Sequence, residues 1–237
     1  MAGFAMTVKV RVICYSRDGF CVLLAAGFAM TVKIGLRLNF MDGICAIILA
    51  AGGSVRMGTG KMLLPYRGRT IIEKVIENVL AAGITHAVVV TGSGKDEIIK
   101  VIRRFPVEQC FNDKWKEGML SSVQCGIRSL PEQCNGAVVF LGDQPMIDAS
   151  TIEELIYAYN KSEKNIIIPV FLKKRGHPII IGRKYFNEIA KLKQDEGLRM
   201  LAHKFPVDVL EVETGNQSIL KDIDTPEDYI NELNQID

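Results

Sequence analysis

The feature that most restricts the architecture of this chain is an uncharged apolar run, Gly43-Ile-Cys-Ala-Ile-Ile-Leu49, that empties directly into a glycine-rich loop. A continuous run of that kind suits a strand buried on both faces, as in a parallel sheet covered by helices on each side. The unit recurs. His86–Thr91 ends at Gly92-Ser-Gly94, and Gly136–Leu141 ends at Gly142-Asp143-Gln144-Pro145. Amphipathic stretches lie between. Apolar residues at 71, 72, 75, 76, 79 and 80 form one helical stripe, opened by a Thr70/Glu73 capping box and closed by Gly83. A short helix begins at Asp96, a strand is expected over Val107–Cys110, and Ser150 with Glu153 opens a further helix. The second half is less regular. Asn165–Phe171 and Pro178–Ile181 read as strands, 182–192 and 195–203 as helices, and Asp208–Glu213 as a strand; Thr225 caps a last helix with Pro226 at its first position. Alternating strands and helices predict an α/β fold with a mostly parallel sheet and helices on both faces.

In such a sheet ligands collect at the C-terminal ends of the strands, where the glycine loops and Asp143 fall. The loop Leu49-Ala-Ala-Gly-Gly-Ser-Val-Arg-Met-Gly-Thr-Gly-Lys61 carries four glycines, Ser54 and two cations, Arg56 and Lys61. Glycine lets successive backbone N–H groups converge on an anion, because no Cβ blocks the approach. An ordinary turn with a surface arginine and lysine is the plainer alternative. Two common phosphate loops are excluded. A P-loop would need glycine where Val55 stands and Ser or Thr where Met62 stands, and the dinucleotide fingerprint opened by Gly58 and Gly60 fails at Leu63. Without that fingerprint, an oxidoreductase holding a nicotinamide dinucleotide is disfavoured.

The 237 residues, 48% hydrophobic, suffice for one sizeable core. The net charge of +2 is unevenly placed: residues 1–40 hold five basic residues and one acid, leaving 24 basic and 26 acidic residues in the remainder. That balance carries no electrostatic footprint for nucleic acid, and no apolar run reaches the roughly 18 residues of a membrane span. Six cysteines show no Cys-x-x-Cys pair and no zinc-type cluster; scattered free thiols suit a reducing compartment. Ala-Gly-Phe-Ala-Met-Thr-Val-Lys occurs at 2–9 and again at 26–33. Residues 1–40 are therefore expected to be an extension outside the domain, which would occupy 41–237. A chain beginning at Met41 is expected to fold and keep its activity. An added strand, or a secretory leader in the hydrophobic stretch Cys21–Met30 after Arg17, is the alternative.

The ungapped pattern LAAG-x-S-x-R-M-G-x-x-K resembles the signature of the MobA-like nucleotidyltransferases, in particular the molybdenum cofactor cytidylyltransferases. The resemblance extends from residue 43 to about 232. It implies a Rossmann-like fold of the nucleotide-diphospho-sugar transferase type. The implied reaction is transfer of CMP from CTP to the phosphate of molybdopterin, with Mg²⁺ and loss of pyrophosphate, in the cytoplasm. A molybdenum hydroxylase or its chaperone is a further implied partner. A guanylyl or other nucleotidyltransferase acting on a sugar or alcohol phosphate, and a non-catalytic cofactor-carrying chaperone, are the alternatives.

Nucleotidyl transfer accumulates charge on oxygen, so the site needs cations and backbone donors rather than a covalent nucleophile. The resemblance assigns the nucleotide to Leu49, Ala50, Ala51, Gly52, Gly53, Ser54, Arg56, Met57, Gly58 and Lys61, with Gly92, Ser121 and Ser122 beside the base and ribose. Arg56 and Lys61 would meet phosphate charge. Trp115–Gly126 resembles a GMSSS-V-x-x-G segment in which Leu120 replaces the first serine; read from the residues alone, it is a helix start capped by serine. Asp143 ends an apolar strand in a GDQP motif and is the expected metal ligand, although a strand-end aspartate can also simply cap its turn. Asp224, or Asp222, would supply a second carboxylate. Arg175-Gly176-His177-Pro178, with Lys173 or Lys174, would face the acceptor phosphate; His177 can equally be a plain turn residue. Asp195-Glu196-Gly197-Leu198-Arg199 resembles a GD-x-GAR segment that contributes to the acceptor pocket.

Overall fold

The computed structural model describes residues 11–15, 21–25, 28–31, 43–53, 57, 60–194 and 196–234. The chain divides into two compact units, Met1–Phe40 and Met41–Asp237. In the first, β1 (Arg11–Tyr15), β2 (Cys21–Ala25) and β3 (Phe28–Thr31) form an antiparallel sheet.

The second unit runs β4 (Ile44–Ala50), β5 (Pro65–Tyr66), β6 (Arg69–Thr70), α1 (Ile71–Ala81), β7 (His86–Thr91), α2 (Lys95–Ile102), β8 (Glu108–Phe111), α3 (Met119–Arg128), β9 (Gly136–Leu141) and α4 (Ala149–Lys161). It continues through β10 (Ile166–Phe171), β11 (Lys174–Arg175), β12 (Ile179–Gly182), α5 (Phe186–Lys191), α6 (Arg199–Lys204), β13 (Val209–Glu213) and α7 (Pro226–Asn234). The main sheet is ordered β11-β10-β12-β9-β4-β7-β8, with β13 beside β10. Strands β9, β4, β7 and β8 pair in parallel, Ile47 standing opposite both Val88 and Val139. Strand β12 enters antiparallel between β9 and β10, a reversal that apolar periodicity alone does not reveal.

All seven residues of β4 are buried, and their alternation feeds two cores. Ile44, Ala46 and Ile48 pack with Ile72, Val75 and Ile76 of α1 and Leu155 of α4. Cys45, Ile47 and Leu49 pack with Val123 of α3 and Ile189 of α5. Full burial of one such isoleucine is worth about 1.5–3 kcal/mol, so this strand could not face water on either side. Helix α3 lies close because position 126 has no side chain: a Cβ there would stand 2.5 Å from Ile47 Cγ2.

The capping box at α1 is present, and Thr225 and Asp228 form another at α7, the Thr225 hydroxyl accepting from Asp228 N at 3.1 Å. Helix α4 departs from expectation. Its cap is Asp148 rather than Ser150, since a carboxylate two residues earlier accepts from Thr151 N at 2.9 Å and from the hydroxyls of Ser150 and Thr151. The helix expected over 195–203 occupies only Arg199–Lys204, and that over 182–192 is a 3₁₀ turn followed by α5. The cysteines also differ from expectation. Cys110 of β8 and Cys125 of α3 form a disulfide, whereas Cys45 and Cys134 are free and buried. Among the described residues no helix is long and apolar enough to cross a membrane.

Candidate active site

The C-terminal ends of β4 and β9 open into a cavity of about 460 Å³. Two glycines bring its walls together. A Cβ at Gly92 would lie 2.7 Å from both the Ala51 carbonyl oxygen and Trp115 Cβ, and one at Gly142 would lie 2.7 Å from the Leu49 carbonyl oxygen. Ser93 N and Gly142 N donate to those carbonyls, at 3.2 Å and 3.0 Å respectively. The turns after β7 and β9 therefore clasp the start of the glycine loop from either side, and Asp143 is delivered to its mouth.

Leu49, Ala51, Gly52, Gly53, Lys61, Ser122, Asp143, Asp222 and Asp224 all line this cavity. Ser54, Arg56 and Gly58 lie outside the described residues. Ala50 is fully buried beneath the loop, Met57 stands half-buried in a turn, and neither reaches the cavity wall. Gly92 backs the loop rather than lining the cavity. Ser121 is buried and does not line the cavity. Its hydroxyl bonds the carbonyls of Lys114 and Gly118 and accepts from Asn112 Nδ2 at 2.8 Å, leaving Ser122 as the serine exposed to the cavity. Leu120 points into the core. Sequence reasoning missed Asn112, whose amide donates to both serines and whose Oδ1 accepts from Lys114 N. The available signal was an Asx turn between a strand and a helix start. It also missed Trp115, Lys116 and Met119, which form a further wall.

Lys61, only 7% exposed, opens a 3₁₀ turn after the glycine loop. Its Nζ donates to Asp143 Oδ2 at 2.5 Å and to Asp224 Oδ1 at 2.6 Å. Burial pulls its pKa down, but the Asp143 charge and the hydrogen bonds Lys61 donates to both carboxylates outweigh burial and hold it above the ordinary lysine value. The ammonium expected on phosphates thus rests on two carboxylates expected to hold metal. Asp222 completes the cluster: one oxygen from each of the three aspartates lies within 4.8 Å of the others. Burial, then Asp224 and Asp143, push the Asp222 carboxyl above its usual range. Asp143 Oδ1 is buried with no hydrogen-bond partner among the described residues. Crowded hard oxygen donors, one of them unsatisfied, fit Mg²⁺ or Mn²⁺. The segment carrying Asp222 and Asp224 is tied down by Ile223 N donating to Asp143 O at 3.1 Å.

Met119 also borders a second cavity of about 280 Å³, whose floor is Ile166 and Ile168 of β10 and Ile179 and Ile181 of β12. Arg175, Gly176, His177 and Arg199 stand on its wall; Pro178 does not. Arg175 is engaged elsewhere, its Nε and Nη2 holding Glu211 Oε1 at 2.7 Å and 2.6 Å. Gly176 faces the segment that leads to Asp222 and Asp224, where a Cβ would meet the Ile219 carbonyl oxygen at 2.3 Å, and His177 N donates to that same oxygen at 3.0 Å. Burial lowers the His177 pKa below its ordinary value, so the imidazole is neutral near pH 7. Of the segment 195–199, Asp195 is outside the described residues, while Gly197, Leu198 and Arg199 line this second cavity.

The family model described as MobA-like NTP transferase domain matches residues 46–209, from the first core strand to the start of β13. The chain belongs to that family. Among curated proteins, this MobA-like chain is 30% identical over 188 residues to nicotine blue oxidoreductase of Paenarthrobacter nicotinovorans, covering 76% of this chain and 91% of that protein. It is 28% identical over 184 residues to molybdenum cofactor cytidylyltransferase of Escherichia coli, covering 77% and 92%. Among solved structures, Rv0371c of Mycobacterium tuberculosis superposes with a TM-score of 0.73 at 26% identity, covering 82% of this chain and 99% of that one. The same protein solved in complex with manganese gives 0.70 at 25% identity, covering 81% and 98%. The sheet order and the helices on both faces agree with this family's fold.

Proposed function

We propose that this MobA-like protein is a cytidylyltransferase that moves CMP from CTP to the phosphate of a molybdopterin-type cofactor. The observation that carries the reading is the convergence of Lys61, Asp143, Asp222 and Asp224 on one cavity beside the glycine loop. The glycine loop and Lys61, with Arg56, receive the triphosphate. The acceptor lies in the apolar cavity next door with its phosphate toward Met119, the residue shared by both cavities. An oxygen of the acceptor phosphate attacks the α-phosphorus, a new P–O bond forms, and the bond to the bridging oxygen of the departing pyrophosphate breaks. Asp143 and Asp224, with Asp222, would hold Mg²⁺, which would supply neutralisation of phosphate charge. The loop amides and Lys61 steady the charge that grows on the pyrophosphate oxygens. Trp115 and Lys116 exclude water from one side of the nucleotide. Similarity to the Escherichia coli cytidylyltransferase and to a relative crystallised with manganese supports this assignment.

A second reading follows from the relative named as an oxidoreductase, 30% identical against 28% for the cytidylyltransferase: the same cleft would hold a redox cofactor and the apolar cavity a flat heterocycle. One panel separates the two. Pyrophosphate release is measured with CTP, GTP, ATP and UTP, with and without molybdopterin, alongside oxidation of NADH and NADPH. Molybdopterin-dependent release with CTP is expected. Preference for GTP moves the protein to the guanylyl branch, binding without release makes it a carrier, and oxidation of a nicotinamide without pyrophosphate release overturns the transferase.

A further inference from the structure

The Lys61 ammonium lies between one oxygen of Asp143 and one of Asp224, at 2.5 Å and 2.6 Å. Those carboxylates belong to the three-aspartate set suited to a divalent ion. Mg²⁺ binds oxygen at about 2.0–2.1 Å, and an ion ligated by the same two oxygens would fall within the volume of the ammonium. We propose that Lys61 is an internal counter-ion that bars the divalent metal from Asp143 and Asp224 in the free enzyme and yields those oxygens when a triphosphate offers the ammonium a new anionic partner. Metal and nucleotide then enter as one event. The proposal rests on the nucleotidyltransferase reading for the identity of the triphosphate, but its central claim concerns only Lys61 and the metal.

Three observations make the exchange physically reasonable. Lys61 directly follows the glycine loop and lines the same cavity as Gly52 and Gly53, so its ammonium has phosphate positions within reach without a change of fold. Among the described residues three carboxylates surround the Lys61 ammonium, so a divalent ion in its place brings more positive charge to them once the lysine has somewhere to go. The segment holding Asp222 and Asp224 is fixed by its backbone bonds to Asp143 and His177, so the lysine rather than the carboxylates is the part able to move. Such an arrangement keeps a lone metal ion from occupying the site in a geometry that no phosphate has set.

The test needs neither acceptor nor turnover. Mn²⁺ is titrated into the full-length wild type, Lys61→Gln and Lys61→Arg by calorimetry without nucleotide. At least tenfold tighter Mn²⁺ binding by Lys61→Gln is expected, with Lys61→Arg no tighter than wild type. Equal affinity in wild type and Lys61→Gln overturns the proposal. A measurement on wild type alone guards against a variant that does not fold. In protein labelled with ¹⁵N-lysine, the Lys61 Nζ signal is followed through additions of Mg²⁺ and, separately, of CTP with chelator. CTP with chelator is expected to shift or broaden it, whereas Mg²⁺ without nucleotide is expected to do so only at concentrations well above those that suffice with CTP present. A signal unchanged at metal saturation means that both cations share the site, and one unchanged by CTP means that the phosphates do not draw the lysine; either result overturns the exchange. Loss of the exchange with CTP turnover intact leaves the transferase standing, and an exchange without turnover leaves this proposal standing.

Discussion

Replacing Gly176 by alanine tests whether the hairpin after β10 positions the Asp222 and Asp224 carboxylates. The added Cβ would stand 2.3 Å from the Ile219 carbonyl oxygen, 2.8 Å from its carbonyl carbon and 3.0 Å from its Cβ. Two of the three are backbone atoms, so no rotamer change relieves the clash. Restoring a tight but tolerable contact of about 3 Å requires the two segments to part by about 0.7 Å. The Ile219 carbonyl also accepts from His177 N, and Ile223 N donates to Asp143 O, so movement at residue 219 passes into the stretch carrying Asp222 and Asp224. Overpacking of this kind costs about 1–3 kcal/mol of stability, which a slope of about 2 kcal/mol per molar urea turns into a midpoint lowered by roughly 0.5–1.5 M. A displacement approaching 1 Å at reacting groups costs on the order of 10²-fold in rate. The expected result of Gly176→Ala is therefore a modest loss of stability with a disproportionate loss of pyrophosphate release at saturating CTP. A variant within twofold of wild-type kcat would refute the reasoning, because the hairpin would then not govern where the carboxylates sit.

Asp143→Asn keeps the shape of the side chain and removes a charge from the carboxylate cluster; turnover is expected to fall by at least 10²-fold with the fold retained, read by pyrophosphate release and circular dichroism. Asp208 tests the linkage of stability to pH. Burial raises its pKa, but hydrogen bonds from Lys184 and Tyr185 outweigh burial and hold it below 3.8. Its contribution is whole above the unfolded value and is lost as pH falls through the lower folded value. Urea midpoints of wild type and Asp208→Asn should therefore differ at pH 7 and converge below pH 3.8. A chain beginning at Met41 is expected to match the full chain in melting temperature and in pyrophosphate release; an insoluble or inactive truncation would make residues 1–40 part of the domain.

Much of this protein was legible in the order of its residues because the signals are local. The seven apolar residues of β4 could only be satisfied between two helical layers, and the Thr70/Glu73 box and the Thr225 cap complete themselves within one turn. The glycine loop and Asp143 likewise sit at strand ends, where the parallel α/β pattern alone puts them. Tertiary structure decided what depends on partners far away in the chain. Lys61 meets Asp224 across 163 positions, and whether its ammonium turns to phosphate or to carboxylate is a matter of Coulomb energy in a cavity that exists only after folding. Gly176 is a glycine because of the Ile219 backbone, not because of its own turn, and Arg175 is taken by Glu211 of a strand that pairs from 36 residues on. The Cys110–Cys125 bond and the insertion of β12 antiparallel beside β9 are of the same kind. A side chain's periodicity states which face it must bury, but the atoms it meets there are set by how separate segments pack.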